Sequence, residues 1–328
     1  MRIVVTGSLA YDYIMDFPGH FKDHILADRA HILSVSFLVD SMRRMRGGVA
    51  GNIAYSLALL GERPLVLASA GGDFGEYRAL IEAQGVDASG ITEVDEEFTA
   101  SCFITTDKAD NQIVAFYPGA MARAKDLSLV GLGLGGDDLV IISPTDPEAM
   151  TRYAEECRQL GVPFLFDPGK QTPRLEGEEI LAGLNGAAVL IGNDYEFAMM
   201  AQKTGKSEAE LISSTPLTVV TRGEQGSTIY SSETDDGRGL EIPVAPVRGV
   251  VDPTGAGDAY IAGLVFGLAR GFPLKVVGRI AALTAAYAIE HRGSQEHHYT
   301  PAEFAERYAS AFGYSPEVES LAGESATR

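Results

Sequence analysis

Short apolar runs and longer amphipathic stretches take turns along most of this chain. Arg2–Gly7 predicts a strand, Asn52–Leu60 a helix, Pro64–Ala70 a strand, and Phe74–Gln84 a helix stopped by Gly85. The alternation resumes with strands at Leu139–Ser143, Pro163–Asp167 and Ala187–Gly192. Helices at Pro147–Leu160, Glu178–Leu184 and Tyr195–Lys203 interleave with them. Runs such as Val140-Ile141-Ile142 and Phe164-Leu165-Phe166 have no polar face, as expected of central parallel strands covered on both sides. The rhythm predicts an α/β fold with a doubly wound sheet and ligands outside its carboxyl edge.

Two stretches break the rhythm. Ala10–Leu38 and roughly Ile91–Tyr117 are strand-like and turn-rich, with no strong helical period. Thr99–Thr106 and Gln112–Tyr117 predict a hairpin around Lys108–Asn111. The two stretches are expected to form one small sheet, a lid beside the main body of a single domain spanning residues 1–328. Two amphipathic helices are expected after Pro273, and a polar tail from about Ser315 is expected to fray. There are no internal repeats and no low-complexity linker.

Composition narrows the function. With 45% hydrophobic and 22% charged residues, the 328-residue chain reads as a globular protein with a substantial core. A net charge of −19 argues against nucleic acid or an anionic membrane surface as partner. ATP stays possible where local dipoles, a metal or a few basic groups invert the field. Cys102 and Cys157 form no C-x-x-C, so two reduced thiols are expected in place of a zinc site or a disulfide. The N-terminal segment reads as a strand and not as a signal peptide, and Tyr260–Ala269 and Ile280–Ile289 are too short to span a bilayer. A cytoplasmic location is expected.

The chemistry gathers in Val251–Gly263, which reads Val-Asp-Pro-Thr-Gly-Ala-Gly-Asp-Ala-Tyr-Ile-Ala-Gly. Gly255 and Gly257 shape a loop that opens a small-residue helix, so free N–H groups and the positive dipole end make a site for phosphate oxygens. Asp258 stands at its mouth. As an isolated G-x-G-D this fits a helix N-cap and an ordinary turn; a carboxylate beside a bound phosphate also suits a base for phosphoryl transfer to a hydroxyl.

Elsewhere Gly47-Gly48-Val49-Ala50-Gly51-Asn52 leads into a helix, with Asn52 either a cap or a ligand group. Asp12 follows the first strand as a turn residue or a hydroxyl acceptor, and Asn193-Asp194-Tyr195-Glu196 starts another helix. Three other patterns fail on context. Gly131–Gly136 contains G-x-G-x-x-G but precedes a strand, and Gly205-Lys206-Ser207 has Met200 where a P-loop needs glycine. His297-His298 lacks a third ligand and predicts a surface pair.

The full string Asp-Pro-Thr-Gly-Ala-Gly-Asp resembles the signature of the ribokinase-like (PfkB) kinase family, and the other elements stand in the family's order from Asp12 to Asp258. The resemblance covers the chain up to its C-terminal tail. It implies a three-layer, doubly wound, mostly parallel sheet with a small β-sheet lid. It implies Asp258 as catalytic base, with the amides of Gly255, Ala256 and Gly257 on the transferring phosphoryl group. Gly48 and Asn52 match the G-G-x-x-x-N element that touches the acceptor, and Asp12 the carboxylate that accepts from its vicinal hydroxyls. Asn193 and Glu196 match the N-x-x-E element that orders Mg²⁺ and its waters near ATP. Thr221, Gly223 and Gly226 match the nucleotide turn, where the backbone and not Arg222 is expected to bind.

Finer features are similar to the family's bacterial adenosine kinase branch, among them Phe116-Tyr117-Pro118-Gly119-Ala120-Met121 and Gly293-Ser294-Gln295-Glu296. They imply Ser8, Asp12, Ser36, Gly48 and Asn52 around the ribose or base, Phe116 stacking on the base, and Arg174 near the phosphates. Cys102 stands where that branch tends to place an aromatic. A monovalent cation near Asp252 and a homodimer through the lid complete what the resemblance implies. The expected reaction is ATP-dependent, Mg-assisted transfer to a nucleoside 5′-hydroxyl, adenosine giving AMP. A sugar kinase and a silent nucleotide-binding sensor are the alternatives.

Overall fold

The structure is a computed structural model, described over residues 1–25, 34–231 and 238–324. The chain opens with β1 (Ile3–Thr6), β2 (Ala10–Asp16), β3 (Ser41–Gly47), α1 (Val49–Leu59), β4 (Leu65–Gly71), α2 (Gly75–Ala83) and β5 (Ile91–Val94). The hairpin β6 (Ala100–Thr106) and β7 (Gln112–Tyr117) follows. Then come β8 (Leu139–Ile142), α3 (Pro147–Leu160), β9 (Phe164–Phe166), α4 (Gly177–Leu184), β10 (Val189–Asn193), α5 (Asp194–Thr204), α6 (Glu208–Ile212) and β11 (Leu217–Thr221). The last elements are β12 (Ser227–Ser231), β13 (Leu240–Ile242), α7 (Ala256–Ala269), α8 (Leu274–Ile289), α9 (Pro301–Phe312) and α10 (Pro316–Glu324).

Nine strands form the large sheet in the order β13-β12-β11-β10-β9-β8-β1-β4-β5. From β11 to β5 every pairing is parallel, and β12 and β13 add an antiparallel edge. Alternate side chains of one strand feed opposite layers. Val5, Ile141 and Leu165 join the core formed with α1, α7 and α8, whereas Val4, Val140, Ile142, Phe164 and Phe166 join the core formed with α3, α4 and α5. This is the three-layer, mostly parallel architecture expected.

Local sequence explains the helix ends. Asp146 caps α3, accepting from the N–H groups of Glu148 at 3.1 Å and Ala149 at 3.3 Å, with Pro147 in the first turn. α7 carries no polar stripe because it is buried between α1 and α8. At Gly263 a Cβ would lie 2.7 Å from the Ala281 backbone, so glycine lets the two helices meet.

The small sheet has the order β3-β2-β6-β7, with β2 and β6 parallel and both outer pairs antiparallel. Its membership differs from the expected ranges at two places. β3, reading Ser-Met-Arg-Arg-Met-Arg-Gly, lies beyond residue 38 and has no apolar pattern to announce it. Its strand form rests on a seven-residue ladder from Ala10↔Gly47 to Asp16↔Ser41. Ile91–Val94, expected in the lid, instead pairs with β4 and edges the large sheet. Residues 26–33 of the first lid range lie outside the described residues.

The tail expected to fray from Ser315 is corrected by α10. Val318 and Leu321, three apart and on one helix face, are buried against the core shared with α9. Among the described residues no helix is long and apolar enough to cross a membrane.

Candidate active site

A doubly wound sheet opens a crevice where neighbouring strands send their connections opposite ways. Here β1 lies between β4 and β8, and the carboxyl ends of β1, β8, β9 and β10 open onto a cavity of about 690 Å³. Ser8, Pro144, Asp167 and Asn193 mark those strand ends on its lining. The loop Pro253–Asp258 forms one wall, and Asp12, Cys102, Val114 and Phe116 of the small sheet form another. A second hollow, of about 700 Å³, is lined by the C-terminal end of α8, one face of α9 and the segment Pro246–Arg248. Its main charged pair, Arg307 and Glu290, is mutually satisfied at 2.6 Å.

Gly255 sits at the cap of α7 with φ 80° and ψ 1°, and a Cβ there would meet the Ser294 Cβ at 2.6 Å. Conformation and space both call for glycine. The first N–H groups of a helix lack intrahelical partners, so this wall offers donors and the positive dipole end. The Ala256 N–H turns back toward Pro253 O at a long 3.3 Å. Asp258 lies within the first turn of α7, past the cap residue, so it does not cap the helix. Instead Asn52 Nδ2 donates to its Oδ2 at 2.7 Å. Burial pushes the Asp258 pKa up to about 6, while Asn52 and Lys170 pull it down and Asp12 and Glu196 push it further up.

Asn52 is buried inside the first turns of α1. The helix start is fixed by Ser8, whose Oγ accepts from Val49 N at 3.1 Å. Gly48, at φ 88°, lets this start press on the β1–β2 turn, where a Cβ would meet Ser8 O at 2.5 Å. Asp12 on β2 lies across the ladder from Cys102, and Cys102 from Phe116 on β7. Burial raises the Asp12 pKa to about 6, with Lys170 opposing and Asp252 adding to the rise. Phe116 is 48% exposed, its ring on a cavity wall shared with Val114, Cys102 and Met121.

Asn193 and Glu196 cap α5 reciprocally. Glu196 N donates to Asn193 Oδ1 and Asn193 N to Glu196 Oε2, both at 2.8 Å. Burial raises the Glu196 pKa, and Lys170 counters it. Among the described residues no cluster of three His, Cys, Asp or Glu is placed to hold a metal directly. Magnesium keeps several waters and needs only one or two carboxylates plus phosphate oxygens. Glu196, with only Oε2 engaged in its cap, fits that outer role.

The structure thus brings together Ser8, Asp12, Gly48, Asn52, Phe116, Arg174, Asn193, Glu196, Thr221 and Gly255–Asp258 on one cavity. It does not bring Ser36, which is exposed and off the lining, nor Gly223 and Gly226, which lie in the β11–β12 turn beyond it. The Arg222 side chain is turned away onto Thr228 Oγ1. Asp252 staples two loops, accepting from Thr254 N and Gly293 N at 2.9 Å each. The expected surface pair His297-His298 is split. His297 is fully buried beside Ser56 and edge-on to Tyr55, and burial drives its pKa down to about 4; His298 is exposed.

Two charged cavity residues escaped the sequence reading. Asp167 is buried at the end of β9, its pKa raised well above the usual carboxylate range by burial and by Glu196 and Asp258. Lys170, three residues on, lowers the pKa of Asp12, Glu196 and Asp258 alike. The signal was available, since Asp167-Pro168-Gly169-Lys170 follows a strand at the carboxyl edge.

A raised carboxyl pKa is a stability cost above the unfolded value. For Asp258 the cost is absent below about 3.8, grows as pH rises, and is complete above about 6. Asp258→Asn is therefore expected to stabilise the unliganded protein by on the order of 1–3 kcal/mol at pH 8. The gain should shrink toward pH 4, as read by urea denaturation at both pH values. An equal gain at both would assign it to something other than ionisation.

A family model described as "pfkB family carbohydrate kinase" matches residues 2–301. A nucleoside kinase of Methanothermobacter thermautotrophicus is 32% identical over 322 residues, which are 96% of this chain and 98% of that protein. A Burkholderia thailandensis nucleoside kinase solved in complex with inosine is 38% identical with a TM-score of 0.82, covering 96% of this chain and 99% of that one. The Methanocaldococcus jannaschii nucleoside kinase, at 28% identity, superposes with a TM-score of 0.84 over 94% of this chain and 99% of its own. With fold, crevice and end-to-end similarity in agreement, the chain belongs to the pfkB family of carbohydrate kinases and is an ATP-dependent kinase.

Proposed function

We propose that the protein transfers the γ-phosphoryl group of ATP to the 5′-hydroxyl of a nucleoside, adenosine giving AMP. The observation that carries this reading is the position of Asp258, between an anion-binding helix start and a cavity with an apolar wall. The nucleoside kinase relatives support the acceptor class, and the Burkholderia enzyme was solved with inosine.

With a pKa near 6, Asp258 is ionised at neutral pH and takes the hydroxyl proton as the new O–P bond forms. The bond from phosphorus to the bridging oxygen of ADP breaks in the same displacement. The N–H groups of the Gly255–Gly257 loop receive the charge of the transferring group. Asn193 and Glu196 would hold magnesium bound with ATP, and the ion would supply charge neutralisation on the phosphates. Asp12 accepts from the two ribose hydroxyls, and Phe116 stacks on the base. The small sheet covers the acceptor and keeps water from competing for ATP. Asp252 keeps its charge in its loop staple, and its carboxylate would be the group to hold a monovalent cation there, whose chemistry would be charge neutralisation of that loop.

A second copy of the chain completes this reading, paired along β7. That strand ends the small sheet, and Ile113, Val114, Phe116 and Tyr117 on it are all more than 40% exposed. Light scattering should give twice the 34.9 kDa chain mass, and Ile113→Asp should halve it. A monomeric wild type would remove this part of the reading.

Turnover of wild type with adenosine, inosine and ribose tests the reaction itself. Asp258→Asn should lower kcat by roughly 10²–10⁴ while nucleoside binding stays within a few-fold. Near wild-type turnover would rule Asp258 out as the base. Asp12→Ala should cost on the order of 1.5–3 kcal/mol in kcat/KM with any hydroxyl-bearing acceptor. Phe116→Ala should cost about 1–3 kcal/mol with adenosine and almost nothing with ribose. Preference for ribose in wild type would turn the assignment to a sugar kinase.

A further inference from the structure

Asn52 stands between partners of opposite kind. Its Oδ1 accepts from Ser294 Oγ at 2.8 Å and from Gln295 Nε2 at 2.9 Å, while its Nδ2 donates to Asp258 Oδ2 at 2.7 Å. Only one orientation of the amide keeps all three bonds. Turned over, it would set an NH₂ against the Gln295 NH₂ and a carbonyl oxygen against a carboxylate, whereas the Ser294 hydroxyl can donate or accept and donates to Arg46 O at 3.3 Å as well. Gln295 therefore decides which atom Asn52 shows to Asp258, and Ser294 supports it.

Neither donor belongs to α1 or α7, the helices that carry Asn52 and Asp258. Both come from the segment after α8, which is anchored at each end. Gly293 N donates to Asp252 Oδ2 at 2.9 Å, and Glu296 pairs with Arg46 of β3 at 2.9 Å. Gln295 is 2% exposed, and its Nε2 also reaches the Tyr77 hydroxyl, which donates to Gly47 O at 2.8 Å. Its Oε1 is buried with no hydrogen-bond partner among the described residues. A buried acceptor left unpaired is a net cost that an apolar side chain of similar size would avoid. What this position uses is the donor end of the glutamine.

We propose that Gln295, assisted by Ser294, is a positioning residue for Asp258. By fixing the Asn52 amide it keeps a donor on Oδ2 and leaves Oδ1 as the oxygen that takes the acceptor's proton. The inference rests on the reading of Asp258 as the base. The other charged groups facing Asp258 are Asp12 on β2, Glu196 on α5, and Asp167 and Lys170 after β9. Asp12 and Glu196 raise its pKa, Asp258 in turn raises that of Asp167, and Asn52 and Lys170 lower that of Asp258. Of these contributions only that of Asn52 passes through Gln295. Losing it should leave the base protonated at higher pH, which moves the acidic limb of the rate profile upward.

The experiment is the pH dependence of kcat with saturating adenosine and ATP, for the full chain and for Gln295→Leu, Ser294→Ala and Asp258→Asn, with Tm measured in parallel. Gln295→Leu should raise the midpoint of the acidic limb by about one pH unit, which lowers kcat by about two-fold at pH 7 and by about tenfold on the limb below pH 5. KM for ATP should stay within about two-fold, since no ATP-side group has moved. Ser294→Ala should shift the limb in the same direction by less, and it carries the test if Gln295→Leu fails to fold. A lower Tm with an unshifted limb would make Gln295 a packing residue only and overturn the inference. If Asp258→Asn retains turnover, the base reading fails and the positioning role with it. If Asp258→Asn is inactive while both other variants keep the wild-type limb, the positioning role alone is lost.

Discussion

The site is organised around negative charge held where negative charge is costly. Asp12, Asp167, Glu196 and Asp258 face one cavity, and burial raises the pKa of each. Buried carboxylates of like sign repel one another, so their ionisation at neutral pH depends on what opposes them. Three things do so here: Lys170, the donor from Asn52 to Asp258, and the N-terminal end of α7. Each comes from a different part of the sheet's carboxyl edge, and the crossings of the large sheet bring them within reach. The fold therefore acts on the chemistry through electrostatics more than through shape.

That constraint also explains the glycines at the site. A left-handed Gly255 is needed because the loop turns into α7 against Ser294, and Gly48 because α1 starts against the backbone of the β1–β2 turn. Both close approaches place a helix start on the cavity. Asn52 and Asp258 then lie in the first turns of α1 and α7, which converge closely enough for a 2.7 Å bond between residues 206 apart in sequence.

Much of the large sheet was legible because its strands are apolar on both faces and some of its helices, α3 and α5 among them, begin with clear caps. Val140-Ile141-Ile142 and the Asp146-Pro147 start of α3 are such places, and the structure puts them where the pattern did. β3 was not legible, since three arginines leave no alternation to read and its strand form comes from pairing with β2. α10 was hidden by its polar composition, because two apolar residues suffice to dock so short a helix. His297 was misread because a histidine pair carries no mark of which ring faces inward; burial in the α1 region decides it. In the site, motif residues were legible as types at fixed spacing. Lys170 stood in a readable string at a strand end and went unread, and Ser294 and Gln295 were legible as a string but not as donors, since their partner Asn52 lies 242 and 243 residues away.

The overall charge of −19 sets a last condition on how such a site meets ATP. A polyanion approaching an acidic protein is repelled at long range, but at physiological ionic strength that field decays over about 8 Å. The repulsion therefore acts chiefly on encounter and on its salt dependence, and little on the bound state. On the proposed reading the phosphates meet the α7 amides at short range, where water is excluded and each contact is worth more than in bulk solvent. The same short range is why the buried carboxylates matter. Ionised, each repels a phosphate, and what opposes that repulsion is Lys170, the Asn52 donor and the positive end of α7. A protein with this surface can hold ATP because the groups that decide binding lie within a few ångströms of it, and those groups are local to the carboxyl edge.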